Sequence, residues 1–322
     1  MNELSSHPAA TGGSASESAG GSSGADFSKG VAFVNGHYVP AAEASISIMD
    51  WGFNKSDVTY DVVHVWGGAF FRLDHHLDRF ERSMAGLRMH IPHDRAAMAQ
   101  ILTECVRLSG LRDAYVAMIT TRGVPLPGMP RKPSLMQNRF YAYAIPWVDV
   151  IAPEVQERGA HLIIAKTPRI PAESVDPTIK NYHWGDMIRA MFEAEDAGAD
   201  NAVLLDSDGY VTEGPGFNVF MVRDGEVVSP DRGALEGVTR QSVLDLCTEL
   251  GIPWRIGRIT ADELRDADEV FTSTTAGGVM PASRIDGRIM GNDRPGPISA
   301  RLKERYWEWH REGRDATPID YS

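Results

Sequence analysis

Four two-residue turn signals constrain the fold of this chain more than any other feature of its sequence. Each lies between short apolar runs of the kind that form strands: Asn35-Gly36, Gly67-Gly68, Asp208-Gly209 and Asp224-Gly225. Asn-Gly, Asp-Gly and Gly-Gly pairs tolerate positive φ at both central positions, which is the backbone that a type I′ hairpin needs. The sequence therefore predicts antiparallel hairpins in both halves of the chain.

Amphipathic helices lie between these hairpins. Apolar residues at spacings of three and four predict a helix after the second hairpin, formed by Leu77, Phe80, Met84 and Leu87. Arg79 lies on this helix. Another helix is predicted to run to Leu250 with Thr239 as its N-cap, and helix N-termini bind anions. Strands and helices mixed along the chain in this way indicate an α+β fold.

The length of 322 residues suggests one large domain or two smaller ones. Residues 1–26 are rich in Ser, Gly and Ala and are predicted to form a disordered tail, because they offer little apolar surface to offset the entropy of ordering. We expect a small N-terminal domain over residues 27–146, an interdomain linker over 147–153 and a larger C-terminal domain over 154–322.

Charge and cysteine content count against several classes of function. The formal net charge is -12 and no basic block is present, which disfavours nucleic acid as a partner. No apolar run is long enough to span a bilayer, and the N-terminus does not resemble a signal peptide, so we expect no membrane partner and a cytoplasmic location. Cys105 and Cys247 are expected to be buried free thiols. His75 and His76 do not face each other on a helix, so no metal site is predicted.

Residues 176–186 contain the side chain with the most reactive chemistry, Lys180. Pro177 biases the residue before it toward extended geometry, so the chain is expected to reach Lys180 from a strand or a loop. Tyr182 and Trp184 flank the lysine. Partial removal from water favours the neutral amine, which can attack a carbonyl group and form a Schiff base.

Lys180 has partners elsewhere in the sequence that together match the needs of pyridoxal phosphate. Glu213 supplies a carboxylate that keeps the ring nitrogen protonated, so that the ring can withdraw electrons from a substrate carbanion. The helix N-terminus at Thr239, the hydroxyl residues around Thr275 and the guanidinium of Arg79 suit the phosphate group. The sequence therefore predicts pyridoxal 5'-phosphate as the cofactor.

On these residues the chain resembles the fold type IV pyridoxal-phosphate aminotransferases, the class of branched-chain and D-amino-acid aminotransferases. Within that class it is most similar to the (R)-selective amine transaminases. The resemblance extends over about residues 27–310 and is carried by residues 57–62, 71–74 with Arg79, 176–186, 212–218, 237–240 and 274–278. It implies a two-domain α+β enzyme and a homodimer whose active site lies near the subunit interface.

The resemblance implies a role for each matching residue. Lys180 would bind the cofactor as a Schiff base and move a proton between the substrate Cα and the cofactor C4′. Glu213 would pair with the pyridine nitrogen. The phosphate would be held by Arg79, Val238, Thr239, Thr274 and Thr275. The substrate pocket would be lined by Tyr60, Val62, Tyr115, Trp184 and Ala276.

The expected substrate class depends on two motifs that the sequence lacks. Branched-chain enzymes carry Tyr-x-Arg where this chain has Tyr115-Val116-Ala117, and D-amino-acid enzymes carry Arg-x-His in the following loop, where residues 124–138 have none. Both absences favour an amine without a carboxylate. We therefore expect a ping-pong transfer from an (R)-configured primary amine to a keto acid such as pyruvate. A branched-chain or D-amino-acid aminotransferase, and next an aminodeoxychorismate lyase, stay open as alternatives.

Two further assignments stay open. Some amine transaminases bind the keto-acid acceptor with a loop arginine near the position of Gly128, so Arg131 or Lys55 is the candidate here. Branched-chain enzymes place a tyrosine five residues after the lysine, and this chain has Gly185 there, so the partner of the cofactor O3′ is not assigned.

Overall fold

The computed structural model describes residues 26–322, so the predicted tail lies outside the described residues except for Asp26. The first half contains β1 (Val31–Val34), β2 (His37–Pro40), α1 (Trp51–Lys55), β3 (Val58–Trp66), β4 (Ala69–Phe71), α2 (Leu73–Gly86), α3 (Arg95–Ser109), β5 (Ala114–Pro125) and β6 (Met136–Pro146). The second half contains α4 (Pro153–Arg158), β7 (Ala160–Ile164), α5 (Gly185–Asp196), β8 (Asn201–Val203), β9 (Glu213–Gly214), β10 (Phe217–Arg223), β11 (Glu226–Ser229), α6 (Val238–Leu250), β12 (Trp254–Ile256), α7 (Ala261–Arg265), β13 (Glu269–Thr274), β14 (Gly278–Ile285), β15 (Arg288–Ile289), α8 (Pro297–Arg311) and β16 (Ala316–Pro318).

The first sheet has seven strands in the order β16-β4-β3-β5-β6-β1-β2, and all of its pairings are antiparallel. Helices α2 and α3 cover one face. Phe80 and Leu102 from these helices pack there against Val63 and Val116 of the sheet, and all four side chains are fully buried. This core explains the predicted apolar stripe on α2, because only one side of the helix meets the sheet.

The second sheet has nine strands and mixes the two kinds of pairing. Its main path runs β12-β11-β10-β13-β14-β7-β8, with β9 paired to β10 and β15 paired to β14. The pairs β11–β12, β14–β7 and β7–β8 are parallel and the others are antiparallel. Helices α6 and α8 pack on one face around Phe220, Phe271 and Trp309. Two sheets with helices packed on them confirm the α+β class.

Three of the four predicted hairpins are confirmed. Asn35-Gly36 joins β1 to β2, Gly67-Gly68 joins β3 to β4, and Asp224-Gly225 joins β10 to β11, with positive φ at both turn residues in each case. Cys105 and Cys247 are buried free thiols, as predicted. No helix within residues 26–322 has the length and apolar character needed to cross a membrane.

The hairpin at Asp208-Gly209 forms with a longer loop than the two-residue turn that was predicted, and the Thr239 N-cap is wrong. Leu205 pairs with Val211 in an antiparallel bridge, and Leu204 exchanges backbone hydrogen bonds with Thr212 and Glu213. Inside the loop, the carboxylate of Asp206 accepts the backbone N–H groups of Asp208 and Tyr210. Helix α6 has Gly237 as its N-cap and makes no side-chain cap, and Thr239 is its second residue. A side chain at Gly237 would collide with Asn218, because a Cβ there would lie 2.1 Å from the Asn218 Oδ1.

The end of the chain returns to the first sheet. Strand β16 pairs with β4, and Ile319 is buried in the core beneath α2 and α3. The Tyr321 hydroxyl donates to the Leu111 carbonyl. The last residues, which the sequence assigned to the second domain, therefore pack with the first. The division at residues 147–153 stays a prediction.

Candidate active site

The seven residues predicted to hold the cofactor line one cavity. They come from α2, from the segment before α5, from β9, from the start of α6 and from the end of β13. These residues are Arg79, Lys180, Glu213, Val238, Thr239, Thr274 and Thr275. The structure thus brings together side chains that are up to 196 positions apart in the sequence (275 − 79).

Strand β3 fixes the backbone of Lys180. The Lys180 carbonyl accepts the backbone N–H of Tyr60 at 3.1 Å and the hydroxyl of Thr59 at 2.7 Å. The Lys180 Nζ lies 4.5 Å from the centroid of the Tyr60 ring. The lysine therefore enters the cavity from a loop that is held by a strand, which is one of the two settings that the sequence predicted. Helix α5 begins five residues later at Gly185.

Glu213 is held by a buried arginine that the sequence analysis missed. Arg169 donates from Nε and Nη2 to the Glu213 Oε1, each at 3.1 Å, and its Nη1 donates to Asp186 at 2.7 Å. The other carboxylate oxygen of Glu213 accepts the Leu235 N–H at 2.9 Å. Burial raises the pKa of Glu213, and Arg169 and the Leu235 N–H oppose that rise. No spacing or motif around Arg169 indicated that it would meet Glu213.

Arg79 is buried, and two residues of the first half orient it. Its Nε and Nη2 donate to the two carboxylate oxygens of Asp61 at 2.7 and 2.8 Å, and its Nη1 donates to the Glu236 carbonyl at 3.3 Å. The Nδ1 of His76 lies 2.8 Å from Asp61. Burial acts to raise the pKa of Asp61, but Arg79 and His76 hold it well below its usual range. Asp61 lies within the stretch that carries the family resemblance, yet its role was not predicted.

The start of α6 and the end of β13 offer hydrogen-bond donors for an anion. Helix α6 starts at Val238 without a side-chain cap, so the N–H groups of its first turn have no partner within the helix. Thr274, the last residue of β13, and Thr275, which follows it, also line the cavity. Ser273, next to them, has a buried hydroxyl that finds no partner among the described residues, and it also lines the cavity.

Two of the five predicted substrate residues line the cavity, and the other three do not. Tyr60 and Trp184 lie on the cavity wall. Val62 packs beside Tyr60 on the same face of the first sheet, and Tyr115 borders that cluster. Ala276 is buried in the turn after Thr275, and the structure does not place it on the cavity wall.

The two residues suggested for the keto-acid carboxylate are both exposed. Arg131 lies in the loop between β5 and β6, and Lys55 ends α1, with its Nζ 5.3 Å from the Trp51 ring. Neither lines the cavity in this chain.

These features fit pyridoxal phosphate. A buried carboxylate suits a protonated ring nitrogen, and an uncapped helix end, a guanidinium and an unpaired hydroxyl suit a phosphate. These four groups line the same cavity as Lys180, which is the only lysine on the cavity wall among the described residues. A cofactor bound through this lysine would thus find a partner for each end of its ring system.

The fold and cavity are those of a pyridoxal-phosphate enzyme, and comparison with known proteins defines the family. Residues 59–285 match the family of class IV amino-transferases. The chain is 30% identical to the branched-chain-amino-acid aminotransferase of Pseudomonas aeruginosa over 87% of this chain and 92% of that protein. It is 31% identical to the D-alanine aminotransferase of Bacillus licheniformis over 84% of this chain and 93% of that protein.

A solved structure agrees with this relationship. The branched-chain amino acid aminotransferase from Thermobaculum terrenum, with pyridoxal phosphate bound, superposes with a TM-score of 0.80 at 26% identity, covering 92% of this chain and 99% of that one. The chain belongs to the class IV aminotransferases. It is a pyridoxal-phosphate-dependent transaminase of fold type IV.

Replacing Arg169 with Gln is expected to weaken pyridoxal phosphate binding about tenfold, because charge-assisted hydrogen bonds to Glu213 are lost. Without the guanidinium, the pKa of Glu213 rises further, so the loss grows as the pH falls from about 8 to about 6. Titration of the full-length chain with cofactor, followed by visible absorption, measures the effect.

The matched control is Arg122→Gln, which removes another buried arginine–aspartate pair, formed with Asp57 away from the cavity wall. This variant is expected to keep the cofactor affinity and its pH dependence. Equal losses in both variants would show that Arg169 acts only on global stability.

Proposed function

We propose that this transaminase takes its amino group from a primary amine that lacks a carboxylate, with a keto acid such as pyruvate as acceptor. The observation that carries the proposal is that the side chains packed around Ala117 are apolar or aromatic and include no cation. This residue is 0% exposed and lies directly across from Val62 in the sheet register. With Tyr60, which lines the cavity, these residues form an apolar cluster that is bordered by Tyr115, Ile119 and Tyr143. A carboxylate buried against such a wall would lack a cationic partner, which is costly.

The (R) configuration of the amine rests on the resemblance of the sequence to the (R)-selective amine transaminases. The site residues of this chain are compatible with that reaction. Pyridoxal phosphate supplies an electron-withdrawing ring when it is bound. Lys180 would hold the cofactor covalently through its Nζ, with loss of water, and the same Nζ would carry the proton that is exchanged with the substrate. Its backbone is fixed by β3, so the Nζ has a defined reach.

The remaining residues bind and orient. Glu213 holds the proton on the ring nitrogen, and Arg169 holds Glu213. Arg79 and the first turn of α6 bind the phosphate, with Thr274 and Thr275 opposite. Tyr60 and Trp184 exclude water beside the lysine. Each of these roles is part of the proposal and follows from the position of the residue on the cavity wall.

A second candidate is transfer from a branched-chain or D-amino acid. The names of the relatives from Pseudomonas aeruginosa and Bacillus licheniformis favour it. The two candidates share the cofactor chemistry and differ in whether the donor carries a carboxylate.

The visible absorption spectrum of the purified enzyme distinguishes these candidates. We expect (R)-1-phenylethylamine to bleach the band of the lysine-bound cofactor, the (S) enantiomer to leave it unchanged, and pyruvate to restore it. A protein whose band responds to D-alanine or L-leucine but to neither enantiomer of the amine belongs to the second candidate. Lys180→Ala is expected to lose the band, whereas Lys166→Ala, at an exposed lysine, is expected to keep it.

The keto-acid acceptor needs a cation for its carboxylate, and Arg131 is the candidate that the loop offers. Arg131→Ala is expected to raise the KM for pyruvate with little change in the KM for the amine. Lys55→Ala serves as the parallel variant, and an unchanged KM for pyruvate in either variant removes that residue from the role.

We also propose a homodimer. Large apolar side chains are exposed on α5 and on the segment before β3, including Phe192 at 60%, Ile48 at 73% and Phe53 at 64%. Exposed apolar groups of this size commonly mark an interface. Analytical ultracentrifugation is expected to give twice the mass of 35.3 kDa, and a monomer at micromolar concentration would contradict the proposal.

A further inference from the structure

A buried asparagine lies beside both parts of the proposed cofactor site. Asn218, on β10, is 5% exposed and lines the cavity. It is the direct cross-strand neighbour of Glu213, so the two side chains emerge on the same face of the second sheet. Helix α6 covers this face, because Phe220, two residues further along β10, shares a core with Val243 and Leu246 of that helix. Asn218 is therefore next to the carboxylate proposed for the ring nitrogen and on the side of the sheet that faces the helix proposed for the phosphate.

The amide nitrogen of Asn218 holds the segment that leads into α6. Residues 230–237 join β11 to α6 without regular secondary structure, so side chains have to fix their path. The Asn218 Nδ2 donates to the Leu235 carbonyl at 2.8 Å, and the Gly237 N–H donates to the same carbonyl at 2.8 Å. A carbonyl oxygen has two lone pairs, so these two donors satisfy it and close a tight turn just before the helix.

The amide oxygen of Asn218 lies against Gly237, the N-cap of α6. A Cβ at Gly237 would lie 2.1 Å from the Asn218 Oδ1, so the backbone passes closer to this oxygen than any side chain would permit. Gly237 has a φ of -64°, which other residues adopt freely, so the close approach is what favours glycine here. The start of α6 therefore takes its position from Asn218.

The same turn contacts the other groups of the site. The Leu235 N–H donates to Glu213 at 2.9 Å, and the Glu236 carbonyl accepts the Arg79 Nη1 at 3.3 Å. Residues 235–237 thus touch the proposed partner of the ring nitrogen, the arginine proposed for the phosphate and the first turn of the helix proposed for the phosphate. A shift of this turn would alter all of these contacts together.

We propose that Asn218 is a positioning residue that holds residues 235–237 and thereby sets the spacing between the ring-nitrogen site at Glu213 and the phosphate site at the start of α6. It acts through Leu235 and Gly237 and not on the cofactor itself. A ligand that contacts two sites at once binds tightly only when their spacing is fixed in advance. This inference rests on the proposed pairing of Glu213 with the ring nitrogen and on the proposed position of the phosphate.

The test compares pyridoxal phosphate with pyridoxal, which has the same ring and aldehyde but no phosphate. Visible absorption follows the titration of the full-length Asn218→Ala variant with each ligand. Pyridoxal phosphate, which uses both sites, is expected to bind about tenfold more weakly, and pyridoxal, which uses only the first, at most about twofold more weakly. A purely structural role would weaken both ligands alike.

Asn138→Ala is the matched control, because Asn138 also holds the backbone through both ends of its amide. Its Nδ2 donates to the Arg122 carbonyl at 3.0 Å, and its Oδ1 accepts the His90 N–H at 2.7 Å, away from the cavity wall. This control is expected to leave both affinities unchanged. An Asn218→Ala variant that weakens both ligands equally, or neither, overturns the inference.

Gly237→Ala tests the contact between Asn218 and the start of α6 directly. The added Cβ collides with the Asn218 Oδ1, so this variant is expected to bind pyridoxal phosphate about tenfold more weakly. In the Asn218→Ala background the oxygen is absent, and Gly237→Ala is expected to cause no further loss. Full affinity in the single variant, or a full further loss in the double variant, overturns the inference.

Thr239→Ala separates this inference from the proposed function, because Thr239 is proposed to bind the phosphate directly. This variant is expected to reduce the preference for pyridoxal phosphate over pyridoxal. If neither Thr239→Ala nor Asn218→Ala reduces that preference, the proposed phosphate position itself is wrong. If Thr239→Ala reduces it and Asn218→Ala does not, the phosphate position stands and the role of Asn218 is overturned.

Discussion

The hydrogen bonds from β3 to the carbonyl of Lys180 join the two halves of the molecule beside the lysine that we propose as the catalytic residue. Thr59 and Tyr60 supply these bonds from a central strand of the first sheet. The lysine itself belongs to a segment between β7 and α5 in the second half. A strand packed by helices on one face is a rigid support, so the amine is positioned by the first half and faces groups from the second. Rigid placement of a reacting group lowers the entropy cost of each catalytic step.

The second constraint is that the charges around the lysine are buried and must be balanced. Arg79 is matched by Asp61, and Arg169 is shared between Asp186 and Glu213. An unpaired charge in such an environment would be strongly unfavourable. Pairing also orients each arginine, because a guanidinium that donates to a carboxylate through two of its nitrogens has only its remaining N–H groups free for a ligand. Stability and ligand orientation thus depend on the same contacts.

The face of β3 and β5 that carries Tyr60, Val62 and Ala117 has a different character. It is apolar, and it lies on the opposite side of the sheet from the core formed with α2 and α3. The alternation of a strand explains this arrangement, because residues 60, 62 and 64 of β3 point one way while Asp61 points toward Arg79 and His76. One strand therefore supplies residues of the apolar cluster on one face, and on the other face it supports Arg79, the arginine proposed to bind the phosphate.

The sequence by itself determined the local elements and the chemistry that was possible. Turn pairs such as Asn35-Gly36 specify hairpins through the φ angles that these residues tolerate, and the stripe on α2 specifies a helix with one buried face. The order of Lys180, Glu213 and Thr275 along the chain indicated the cofactor, because few other ligands need an amine, a carboxylate and an anion site together.

Only the tertiary structure decided which groups hold these residues. Arg169 and Asp61 have no local signal, since each contacts a predicted site residue at least 18 positions away in the chain (79 − 61). The return of β16 to the first sheet and the use of Gly237 as the cap of α6 were likewise settled by packing, because the space available to a side chain depends on neighbours that only the folded chain brings together.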